Sequence, residues 1–134
     1  MGCYSFKELK KLEIFSKSAY KTVKASSGTA VDQCIQMACE NDFEIVGIQK
    51  IGPTIFCRKG NERQWNAAIP TLPAKKCKAN LGSRKSIFVY RQNLGIKYSV
   101  LIMCFIIHQT HYEKSDWSRA FNHSLCQVQR LPGY

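Results

Sequence analysis

The chain has 134 residues, 45% of them hydrophobic and 22% charged, which is material for one globular domain and argues against wholesale disorder. Twenty Lys and Arg against nine Asp and Glu leave a net charge of +11, which points towards acidic partners: nucleic acid, sulfated or uronic polysaccharide, or an anionic membrane surface. The seven cysteines are many for this length and odd in number. A secreted chain would pair most of them and leave one over, whereas a cytosolic chain would bury them as thiols.

At the N-terminus, Met1 to Leu12 carries Lys7, Lys10 and Lys11 but no apolar core of signal-peptide length and no small-residue cleavage site. The expectation is a chain that is not secreted or one whose natural start lies upstream of Met1. Met1-Gly2-Cys3 also resembles an acylated N-terminus, yet Phe6 stands where the myristoylation pattern wants Ser or Thr. Further on, Thr29 with Asp32 three residues later reads as a helix start. Val31, Cys34, Ile35, Ala38 and Cys39 then line one helical face, Gln33, Gln36 and Glu40 take the other, and Asn41-Asp42 ends the helix.

Phe43 to Gln49 and Thr54 to Arg58 are β-rich runs separated by a Gly52-Pro53 turn signal, a hairpin with Cys57 near its end. Lys59 to Ser83 reads as loop, with Pro70, Pro73 and Gly82. Ser86 to Arg91 is a third strand, mostly β-branched and aromatic. Helix, hairpin, long loop and strand make an α+β pattern around one small core.

Gly2-Cys3-Tyr4, the helix with Cys34, the strand Val46-Gly47-Ile48-Gln49, Cys57, Cys77 and the closing Val89-Tyr90-Arg91 together resemble the WSC family of small extracellular cysteine-rich domains. The resemblance covers residues 2–91. It implies a disulfide-stapled α+β module that binds carbohydrate or mediates adhesion, with Cys3, Cys34, Cys57 and Cys77 as its framework. The chain departs from the family pattern at Cys57-Arg58-Lys59-Gly60 and Leu81-Gly82-Ser83-Arg84, where further cysteines are usual, and in its Cys34-x4-Cys39 spacing. Four cysteines allow three pairings. Cys34 on the inner helix face and Cys57 at a strand end are well placed to staple helix to sheet, and Cys3 and Cys77 would then tie the first strand to the late loop. Cys39, one turn along the helix, is the expected free thiol.

Residues 92–134 read as a poorly defined tail that adds little to the folded unit. Its apolar run, Tyr98 to Ile107, is about half of what a bilayer-spanning helix needs, so no membrane span is expected. Cys104, His108 and His111 would share a helix face, and His123 with Cys126 could complete a zinc site, but the spacings match no common zinc motif and no metal is assigned. Asn122-His123-Ser124 is an N-glycosylation sequon, with meaning only in an extracellular chain. No phosphate-binding glycine loop and no paired carboxylate motif is visible, so neither a cofactor nor catalysis is expected.

The sequence thus predicts a non-catalytic extracellular module binding glycan or an acidic matrix partner. Arg58, Lys59, Arg63 and Trp65 are the candidate contact residues, because an exposed Trp can stack on sugar and Arg can pair with carboxylate or sulfate. The competing role for Trp65 is to cap the core beneath the long loop. The alternative function is an intracellular basic protein that binds nucleic acid, with Phe56, Phe88 and Tyr90 stacking on bases.

Overall fold

In a computed structural model, residues 2–92 apart from Lys17 and Ala67 are described, together with Leu94, Gly95, Ser99, Met103 and Cys126. The strands are β1 (Gly2–Ser5), β2 (Lys21–Lys24), β3 (Ile45–Ile51), β4 (Thr54–Gly60) and β5 (Ser86–Arg91). The helices are α1 (Phe6–Lys11) and α2 (Ala30–Glu40), and three short 3-10 turns punctuate the segment between β4 and β5. The strands form one antiparallel sheet in the order β1-β5-β3-β4-β2. The molecule is therefore α+β, with one main helix and three disulfides.

The middle of the sheet is the hairpin of β3 and β4 around Gly52-Pro53, with β3 also paired to β5. Ile45, Val46, Ile48 and Gln49 of β3 are all buried, as befits a central strand covered on both faces. On one face Val46, Ile48, Ile55 and Cys57 meet Ala30, Cys34 and Ala38 of α2. On the other, Tyr4, Ile45, Ile87 and Val89 meet Leu9, Ile14 and Phe15 from α1 and the segment after it. Each fully buried Ile or Leu of these cores contributes about 1.5–3 kcal/mol relative to exposure.

Gly47 is required by this two-sided cover. A Cβ there would run into the Ile87 side chain and the Phe15 ring, so only glycine lets the segment after α1 lie flat on β3. Gly82 is equally constrained, because a Cβ would meet the backbone of Ser86 and Ile87. Its own backbone pairs with β3: Gly82 N–H donates to Ile48 C=O at 2.9 Å, and Lys50 N–H donates to Gly82 C=O at 2.8 Å.

Three local expectations need correction. Thr29 sits at the α2 N-cap without a side-chain cap bond; its hydroxyl accepts from Gln33 Nε2 at 3.0 Å instead. Residues Lys59 and Gly60 continue β4 and do not open the loop. Cys39 is not a free thiol, since it is bonded to Cys126 across 87 residues, and both cysteines are buried.

Candidate functional site

The two framework disulfides each tie an element outside the sheet to one of its strands. Cys34 and Cys57 link α2 to β4, both wholly buried, and Cys3 and Cys77 link β1 to the loop before β5. Cys126, spoken for by Cys39, is withdrawn from the zinc set imagined in the sequence. Cys104, His108, His111, His123 and the Asn122 sequon lie outside the described residues. Among the described residues no cluster of three or more His, Cys, Asp or Glu could hold a metal, and no helix is long and apolar enough to cross a membrane.

The four candidate contact residues do not converge on one surface. Arg58 and Lys59 are neighbours on β4 and point to opposite faces of the sheet. Arg58 as a whole is 7% exposed, and its guanidinium carbon lies 4.9 Å from the Phe6 ring centroid and 5.5 Å from that of Phe56. Its Nε donates to Gln49 Oε1 at 2.7 Å, and Gln49 Nε2 in turn donates to the carbonyls of Ser83 at 2.8 Å and Ser86 at 3.3 Å. Burial pulls the Arg58 pKa down from its ordinary value by desolvation, although an arginine stays charged at neutral pH. Gln49, wholly buried, is thus a bracket: it anchors Arg58 on one side and the Ser83–Ser86 backbone on the other.

Trp65 is half-buried and packs edge-on against Tyr4, with ring centroids 5.1 Å apart, as a cover for the core. Only Lys59 and Arg63 share a cavity. It measures about 490 Å³, and Glu13, Asp42, Glu44 and Glu62 also line it. Lys59 Nζ lies 4.9 Å from the Phe43 ring centroid, and Glu44 forms a 3.0 Å ion pair with Arg91 nearby. Four of the nine acidic residues of the chain therefore surround this cavity, which makes it a poor receptor for an anion.

The aromatics considered for base stacking are engaged with each other or with Arg58. Phe88 and Tyr90 pair at 4.9 Å, Tyr90 Oη donates to Asn80 C=O at 3.4 Å, and Phe56 lies beneath the Arg58 guanidinium. All three are half-buried. Comparison with known proteins returned no match to a family model, a curated protein or a solved structure.

Proposed function

We propose that this chain is an extracellular, WSC-like binding module without catalytic activity, recognising a glycan or another acidic matrix partner. The observation that carries this reading is the combination of three disulfides with a net charge of +11. Disulfides persist in oxidising compartments, where the abundant polyanions are polysaccharides. The residues on which the resemblance rests also have physical work in the fold. Cys3 and Tyr4 lie on the strand beside β5, Gly47 admits the Phe15 segment, and Gln49 braces Arg58 and the Ser83–Ser86 turn.

The test is retention of the folded, disulfide-intact protein on immobilised heparin and on a panel of neutral glycans. Retention on either supports the module. Failure on both, with a folded protein, ends the reading.

A further inference from the structure

The register of the strands sorts the surface charge of this molecule to opposite ends of the sheet. Glu44 precedes β3, and Asn61-Glu62 follows the β4 terminus that pairs with Ile45, so the acidic cavity sits at the end where β3 begins. At the opposite end, β1 passes into α1 at Phe6-Lys7, β5 begins after Arg84-Lys85, β3 runs out through Lys50, and β2 finishes at Lys24. Basic residues thus close four of the five strands at one end.

Local bonds hold this row in place. Phe6 N–H donates to Lys85 C=O at 3.0 Å, Lys50 N–H to Gly82 C=O at 2.8 Å, and Ala25 N–H to Pro53 C=O at 2.8 Å. Ser86 Oγ donates to Lys76 C=O at 2.8 Å and sits 2.9 Å from Ser83 Oγ, bringing a sixth cation to the same end. The Cys3–Cys77 bond clamps that loop to β1. Lys7, Lys24, Lys50, Lys76, Arg84 and Lys85 are all exposed. Glu8, next to Lys7 in the chain, pairs with Lys11 at 3.7 Å, and Glu44, which precedes β3, pairs with Arg91 at the opposite end of the sheet. At about 4.8 Å between strands, the row spans about 19 Å.

We infer that this basic end of the sheet is the binding surface, and that its ligand class is a linear sulfated polysaccharide; the inference rests on the binding-module reading above. A row of exposed cations about 19 Å long suits an extended polyanion better than a small anion, and lysine, a compact mobile point charge, tolerates the irregular spacing of sulfates. Nucleic acid is the weaker fit. Disulfides suit an oxidising setting, and the half-buried Phe88 and Tyr90 pack on each other while Phe56 lies against Arg58, which makes them a poor base platform.

The experiment measures heparin affinity of the full, disulfide-intact chain at about 0.15 M salt, where charges beyond ~8 Å are screened. Lys24→Ser/Lys50→Ser/Lys85→Ser is compared with Lys59→Ser/Arg63→Ser/Arg91→Ser, which removes the same charge at the acidic end. Thermal melts establish that both variants are folded, and any triple that fails to fold is replaced by its single substitutions. The first triple is expected to weaken binding at least about tenfold and to flatten its salt dependence, the second by less than about threefold. Equal losses, or a larger loss from the second triple, overturn the assignment of the surface. Retention on neutral glycans with no heparin binding overturns the ligand class but leaves the module standing, whereas failure on both removes the module itself. Displacement of heparin by single-stranded RNA at lower charge concentration makes the partner a nucleic acid and overturns the inference.

Discussion

Replacing Gln49 by leucine keeps the volume and removes every polar contact of the bracket between Arg58 and the Ser83–Ser86 turn. Three hydrogen bonds are lost: the 2.7 Å bond from Arg58 Nε and the bonds at 2.8 and 3.3 Å to the carbonyls of Ser83 and Ser86. The first is charge-assisted and contributes about 1.5–3 kcal/mol, and the other two about 1 kcal/mol each. Arg58 stays buried but keeps its bond to Ser16 C=O at 3.5 Å, so the expected loss is the sum of the three bonds, about 3.5–5 kcal/mol. At ~4–8 °C per kcal/mol for a domain of this size, the low end of that range lowers the melting temperature by about 14–28 °C. The assay is a thermal and chemical melt of Gln49→Leu, Arg58→Met and the double variant under oxidising conditions. The double variant should lose less than the sum of the singles, because removing the guanidinium removes the unmet demand. A loss below about 1 kcal/mol for Gln49→Leu, with additive singles, would refute the bracket.

Removing the Cys34–Cys57 bond as a Cys34→Ala/Cys57→Ala pair opens a 23-residue separation, for which chain entropy predicts about 3.4 kcal/mol of lost stability by denaturant unfolding. A loss under about 1 kcal/mol would mean that the bond closes on a core already rigid without it. Tyr20 donates its hydroxyl to Cys34 C=O at 2.8 Å, and burial raises its pKa well above the ordinary value of 10.0. Burial, and secondarily Asp32, raises that of Tyr90 as well. The neutral phenols are favoured in the folded state, so their contribution is complete below about pH 10, the unfolded value, and falls as pH rises above it. Stability should decline through that alkaline range, and phenolate absorbance should show these two rings ionising only with unfolding; free titration of every tyrosine at ordinary pH would contradict their burial.

Periodicity carried the parts of this fold that rest on a single face. The α2 face of Cys34, Ala38 and Cys39 and the β5 span Ser86–Arg91 lie where the apolar pattern puts them. The short elements were harder to read. β2 is an edge strand, Lys-Thr-Val-Lys, in which Val23 alone packs on the core, and lysines of this kind protect an edge while hiding the strand pattern. α1 has six residues, yet Ser5 with Glu8 three positions on is the capping pair that announces it; Ser5 Oγ accepts from Glu8 N–H at 3.4 Å.

The proposed contact surface was less legible because charge was taken by its order along the chain. Ending β4 at Arg58 made Arg58 and Lys59 neighbours on a loop, whereas a continuing strand sends them to opposite faces. Lys24, Lys50 and Lys85, far apart in sequence, reach the same end of the sheet only through antiparallel register. The Cys39–Cys126 bond likewise joins positions that no local spacing relates.

The central claim is a disulfide-built module of an oxidising compartment, and its most direct test is a non-reducing peptide map of the protein purified from its natural source with thiols blocked at lysis. The account predicts three linked peptide pairs, Cys3 with Cys77, Cys34 with Cys57 and Cys39 with Cys126. A folded protein in which these six cysteines all carry the blocking label would contradict both the compartment and the fold's means of support.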